Sequence, residues 1–124
     1  MVHGEDGLDE ITNTGKTSIC ELISGEIHEY SISPQELGLP SASPENIKGG
    51  TISENANMIL NVLSNVSSPK RDIVVMNAAA VLLAGDAVNT MKEGITLAKS
   101  TINSGKAMAK LNQLIEFSKK LSRE

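Results

Sequence analysis

Aromatic side chains are nearly missing from this chain: there is no tryptophan, and Tyr30 and Phe117 are the only rings. Proteins that track single-stranded nucleic acid stack bases on such rings along a basic groove. With a net charge of −4, the phosphate attraction behind most nucleic-acid binding is lacking too. No nucleic-acid partner is expected. Cysteine is scarce: Cys20 stands alone, which excludes an intrachain disulfide and fits a reducing, cytoplasmic setting. Its simplest role is that of a small core residue. Long apolar runs are lacking as well. The longest, Ile73 to Ala84, is interrupted by Asn77 and falls short of the ~20 residues that a membrane helix needs. The acidic opening carries no secretory signal, so no membrane association is expected.

Bases are scarce in one half. Residues 1–50 hold nine acids against Lys16 and Lys48, whereas residues 51–124 hold six acids against nine bases. The length of 124 residues suits one domain, and 40% hydrophobic content is enough for a core.

What is present is concentrated at the start. His3-Gly4-Glu5-Asp6-Gly7-Leu8-Asp9-Glu10 has four carboxylates and two glycines, with no Lys or Arg. Such a loop repels a bare phosphate but suits a hard cation, which takes oxygen ligands. The plainer alternative is a solvated acidic turn, and spacing alone leaves both open while favouring the turn. Val2-His3-Gly4 reads as the end of a strand, and Thr12 to Thr17 as a polar loop. Ser18 to Ile23 and Ile27 to Ile32 read as strands of a hairpin turning at Ser24-Gly25. His28 has no cysteine or serine placed to pair with it and is expected on the surface.

Residues 33–50 are a turn-rich connector, with one helical turn expected at Ser43-Pro44-Glu45. Gly49-Gly50 lacks the Lys-Ser/Thr ending of a phosphate loop. From residue 51 the signals are helical. Thr51-x-x-Glu54 and Thr90-x-x-Glu93 are capping boxes, and Ser68-Pro69 is a further helix start. The first helix should bury Ile52, Ala56, Ile59, Leu60 and Leu63. The second, Ile73 to Ala84, is apolar nearly all round and is expected to be buried on every side. Asn77 inside it needs hydrogen-bond partners and should tie down a neighbouring loop. The third should pack closely at Gly94, where glycine costs about 1 kcal/mol against alanine. The last should turn Ala107, Leu111, Leu114, Ile115 and Leu121 inward. Met58, Met76, Met91 and Met108 read as core filler. The fold class that follows is α+β: a loop and β-hairpin over residues 1–50, then about four α-helices over 51–124.

Taken in order, several short stretches resemble one family. They are His3-Gly4 with Gly7-Leu8-Asp9-Glu10-Ile11, then Gly25-Glu26-Ile27-x-Glu29-Tyr30, Pro34-x-x-Leu37-Gly38-Leu39 and Ile47-Lys48-Gly49-Gly50. Glu54-Asn55-Ala56, Lys70-Arg71-Asp72-Ile73-Val74, Asn77-Ala78-Ala79-Ala80 and Ser104-Gly105-Lys106-Ala107 follow. The ordered set is similar to anthranilate phosphoribosyltransferases. The resemblance implies an α/β parent fold, of which residues 1–124 look like a C-terminal part of the catalytic domain. It implies transfer of the 5-phosphoribosyl group from phosphoribosyl pyrophosphate to the amine of anthranilate in tryptophan biosynthesis, and a complete enzyme that is a homodimer. It also implies that Asp9 and Glu10 help hold Mg²⁺, leaving Glu5 and Asp6 as an acidic rim. The family's glycine-rich pyrophosphate loop, its Lys-His-Gly motif and its anthranilate-binding arginine have no counterpart here; Val2 stands where that motif's lysine would be. No catalytic residue is therefore assigned, the substrate-binding residues stay unknown, and the chain by itself is expected to be inactive. A nucleoside-phosphorylase-like relative, and a non-catalytic or split-enzyme module, are the alternatives.

Overall fold

A computed structural model describes residues 1–122. Three strands lie in the first 32 residues: β1 (Val2–Gly4), β2 (Thr17–Ile23) and β3 (Glu26–Ile32). They form one antiparallel sheet in the order β1-β2-β3, with Val2 opposite Ile19 and Ile19 opposite Tyr30. The expected hairpin is present. Its two-residue turn puts Ser24 at φ +52° and Gly25 at φ +89°, the left-handed pair that matches strand twist. A lone hairpin is marginal in water, and β1 supplies the third strand.

A one-turn 3-10 helix (Gln35–Leu37) and the four-residue α1 (Pro44–Ile47) lie in the connector, α1 starting at the expected Ser43-Pro44. Four longer helices follow: α2 (Ile52–Leu63), α3 (Pro69–Ala84), α4 (Met91–Asn103) and α5 (Lys106–Leu121). The arrangement is α+β, as read from the pattern. The Thr51–Glu54 box closes in both directions: Thr51 Oγ1 accepts from the Glu54 amide at 3.3 Å, and Glu54 Oε2 accepts from the Thr51 amide at 2.8 Å. The second box closes only halfway. Thr90 Oγ1 accepts from the Glu93 amide at 3.2 Å, but Glu93 Oε2 takes the Asn89 amide instead, at 2.9 Å.

The core joins Val75, Met76 and Ala79 of α3 to Ile95, Ala98 and Ile102 of α4, with Leu37, Leu39 and Ile11 closing it. Val2, Ile19 and Ile32 bring the inner face of the sheet onto it. The two helices pack closely at Gly94, as its place in the helix predicted. A Cβ at Gly94 would sit 2.9 Å from the Cα, Cβ and carbonyl oxygen of Ala79.

Four expectations about burial are corrected. Helix α3 is not enclosed: Val74 and Val81 face outward, Val81 being 72% exposed. The stripe on α2 is turned the wrong way, with Ile52 91% exposed and Ile59 and Leu60 also outside, because α2 reaches the body through Val62. Helix α5 buries no residue fully; Ala107 and Leu111 are half-buried, while Leu114, Ile115 and Leu121 are exposed. Periodicity marks an apolar stripe but not whether anything lies against it. Cys20 is half-buried rather than a core residue. His28 is on the surface as expected.

Candidate functional site

The acidic opening leaves the sheet at Gly4 and crosses to α3 before returning at Thr17. Gly4 donates its amide to the Leu8 carbonyl at 2.9 Å, and Gly7 donates to the Gly4 carbonyl at 2.9 Å, so the loop is a tight turn. Gly7 sits at φ +96°, where a side chain would be strained. At Gly4 the demand is steric: a Cβ there would lie 2.5 Å from Asp6 Oδ1.

Asp6 is more than rim. Its carboxylate accepts from Thr12 Oγ1 at 2.5 Å, from Thr14 Oγ1, and from the Leu8 amide at 3.2 Å. Burial pushes this carboxyl up, but the bonds from Thr12, Thr14 and the backbone outweigh it and hold it below the ordinary carboxylate range. Asp6 therefore laces the front of the loop to its back. Behind it, Ile11, Thr12, Asn13 and Thr17 are fully buried. The stretch read as an ordinary polar loop is a pinned segment. The Thr12 amide donates to Thr17 Oγ1 at 3.0 Å, and Asn13 Nδ2 donates to the Pro69 carbonyl at 2.8 Å.

Asn77 does what a lone amide in an apolar helix should. Its Oδ1 accepts from the Ile11 amide at 2.9 Å, and its Nδ2 donates to the Ile11 carbonyl at 2.8 Å. The same Nδ2 reaches the Ile73 carbonyl at 3.0 Å and Glu10 Oε2 at 3.1 Å. Glu10 is thus positioned from α3, with its second carboxylate oxygen left over. Burial, then the charges of Asp9 and Asp6, push the Glu10 carboxyl up from its ordinary value. Asp9 is exposed beside it.

Among the described residues no three or more His, Cys, Asp or Glu side chains converge as a metal cage. The pair fits one kind of ion. Magnesium keeps several waters and is held through one or two carboxylates plus substrate phosphates. Two neighbouring carboxylates, one of them burdened by the other's charge, make a donor set that a hard cation relieves. Pattern reading singled out Asn77, and the family resemblance singled out the pair Asp9 and Glu10. Pattern reading missed the lacing role of Asp6, which four look-alike carboxylates in a row conceal, and the buried Thr12 and Asn13, whose polarity suggested solvent.

With that geometry in hand, the chain can be set beside known proteins. Residues 1–108 match the family model described as "Glycosyl transferase family, a/b domain". An anthranilate phosphoribosyltransferase of Methanosarcina barkeri is 48% identical over 124 residues, covering all of this chain and 34% of that protein. The same enzyme of a Thermoanaerobacter species is 45% identical over 98% of this chain and 36% of its own length. Among solved structures, anthranilate phosphoribosyltransferase from Thermus thermophilus superposes with a TM-score of 0.84 at 34% identity, over 94% of this chain and 34% of that one. The Saccharomyces cerevisiae enzyme in complex with phosphoribosyl pyrophosphate and magnesium superposes with a TM-score of 0.83 at 28% identity, over 93% and 33%. The chain spans about a third of the length of these relatives.

Proposed function

We infer the function from one premise: the chain belongs to the glycosyltransferase family that this α/β-domain model describes, with 108 of its residues inside the match. Its role is to supply part of the catalytic domain of a transferase that moves the 5-phosphoribosyl group from phosphoribosyl pyrophosphate to anthranilate. The observation that carries this is identity of 48% across all 124 residues to an enzyme of that name. Residues 1–124 form a C-terminal portion of that domain, working in the cytoplasm as the lone cysteine suggests. By resemblance the complete enzyme is a homodimer.

Asp9 and Glu10 are the residues that would hold Mg²⁺. When bound there, the ion offsets the negative charge that grows on pyrophosphate as it leaves the ribose carbon. The chain's own part is to present two neighbouring carboxylates, Glu10 held in place and Asp9 exposed beside it. Asn77 orients Glu10 from α3, Asp6 keeps the turn closed, and Gly4 lets the turn form without a clash. Carboxylates set on a pinned loop lose little further freedom when the ion arrives, which is the advantage of a preorganised site.

Two measurements test this. Mn²⁺ can report on the cation site by water-proton relaxation. Binding should weaken at least tenfold in Asp9→Asn/Glu10→Gln, with the circular dichroism spectrum unchanged, and equal binding would remove the assignment. The purified chain, given anthranilate, phosphoribosyl pyrophosphate and Mg²⁺, should form no product above background. The double substitution placed in a full-length relative should shift the Mg²⁺ dependence of the rate to higher concentration.

A further inference from the structure

Among the described residues, two enclosed side-chain atoms have no hydrogen-bond partner within the protein: Asn13 Oδ1 and Arg71 Nε. They are of opposite sense. Asn13 Nδ2 donates to the Pro69 carbonyl at 2.8 Å. That carbonyl can only accept, so the side-chain amide is fixed with its oxygen left over as an acceptor. Arg71 Nε always carries its hydrogen and is left over as a donor. Each alone would bear the cost of lost hydration.

The two belong to one turn. Asn13 is tied to Pro69, and Arg71 stands two positions further along α3, with its amide bonded to Ser68 Oγ at 3.2 Å. Helical side chains lean toward the N-terminus, so the Arg71 stem runs back over the turn of Ser68 and Pro69. The neighbouring carboxylate does not answer it: Asp72 Oδ1 lies 3.9 Å from Nη1, beyond hydrogen-bond reach. Asn13 in turn matters to the acidic loop. It stands between Thr12 and Thr14, whose hydroxyls hold the Asp6 carboxylate, and its own carbonyl accepts from the Ala42 amide at 2.8 Å. Whatever fixes Asn13 fixes the segment to which the front of the loop is laced.

We propose that one buried water joins Arg71 Nε to Asn13 Oδ1, and that Arg71 is thereby a positioning residue for the cation pair. The water accepts from Nε–H and donates to Oδ1, which gives it the minimum of partners that an internal water takes. A bridge of this kind satisfies two enclosed atoms that do not reach each other directly. Its action runs from Arg71 through the water to Asn13, then through Thr12 and Thr14 to Asp6. The bridge rests on the two enclosed atoms alone. Its effect on the cation rests on the reading of Asp9 and Glu10 as the Mg²⁺ ligands.

The test uses the whole chain labelled with ¹⁵N, and reads the Arg71 Nε–H signal by NMR. In the parent this proton should exchange at least tenfold more slowly than in free arginine and show cross-relaxation to a long-lived water. Exchange as fast as in free arginine would overturn the bridge, and no variant is needed for that result. In Asn13→Ala, with the circular dichroism spectrum unchanged, the exchange should quicken at least tenfold and the water signal should vanish; an equally protected proton there would also overturn it. Mn²⁺ then reads the positioning role. Asn13→Ala and Arg71→Met should each weaken binding at least threefold, and the double variant no more than either alone, because the two residues act as one unit. Unchanged or multiplying effects would remove Arg71 from the positioning of the cation pair. A parent that bound no Mn²⁺ would remove the Asp9–Glu10 reading instead, while the exchange of the Arg71 proton still decided the bridge.

Discussion

At the scale of single residues, Asp6 and Glu10 sit four positions apart and respond to pH with opposite signs. Asp6 is held below its ordinary 3.8 when folded, so near that pH the unfolded chain binds more protons. Its contribution is complete above 3.8 and disappears as the pH falls through the folded value. Glu10 is held above its ordinary 4.5. Its contribution is complete below 4.5 and is lost as the pH rises through the folded value, leaving a carboxylate at neutral pH that the fold tolerates poorly. Asp6→Asn should therefore lower the melting temperature at pH 7, with the gap to the parent closing toward pH 3. Glu10→Gln, free of metal, should raise the melting temperature at pH 7 and leave it unchanged at pH 4. Thermal melts at the three pH values decide both, and a gap for Asp6→Asn that persists undiminished at pH 3 would refute the charge-based account. Gly94 makes a steric prediction. Its Cβ would meet Ala79 backbone and side chain at 2.9 Å. Overpacking typically costs 1–3 kcal/mol, against about 1 kcal/mol gained from helix propensity. Gly94→Ala should lose up to roughly 2 kcal/mol in urea unfolding, and a variant more stable than the parent would show that the α3–α4 contact gives way easily.

Helices and strands divide into what local chemistry decides and what it does not. The hairpin turn was legible because Ser24-Gly25 takes left-handed backbone at both positions. The start of α3 was legible because Ser68 accepts from the Arg71 amide at 3.2 Å and Pro69 needs no amide partner. Asn77 was legible because an amide in an apolar run must find partners, and those it found fix Glu10. The pair Asp9–Glu10 was singled out on its resemblance, while charge and spacing alone favoured a solvated acidic turn. What stayed hidden depends on which element covers which. The outward stripe of α2 has the same spacing as an inward one. The second capping box reads like the first, yet the Asn89 amide outcompetes that of Thr90 for Glu93. Arg71 gives no hint of burial, but only 9% of it is exposed, Asp72 Oδ1 is 3.9 Å from its guanidinium, and its Nε lacks a partner.

For the whole molecule, stability should be graded rather than uniform. The pinned loop, the sheet's inner face, α3 and α4 share one buried cluster. Helix α5 contributes only the half-buried Ala107 to it, and Leu114, Ile115, Phe117 and Leu121 remain exposed. Opening free energy follows buried apolar contact, so segments with little of it exchange their amides through local opening. Amides of residues 114–121 should exchange at least a hundredfold faster than those of residues 75–79, whose side chains at Val75, Met76 and Ala79 are fully buried. The loop around Ile11 should share the slow class, because Asn77 bonds both its amide and its carbonyl. Asn77→Ala would move the Ile11 region into the fast class while leaving α4 protected. Global unfolding would accelerate α4 equally, so hydrogen exchange read residue by residue separates a loosened loop from a lost fold. If Ile11 stayed protected in Asn77→Ala, the carboxylates would owe their position to the Asp6 lacing alone, and α3 would have no part in holding Glu10.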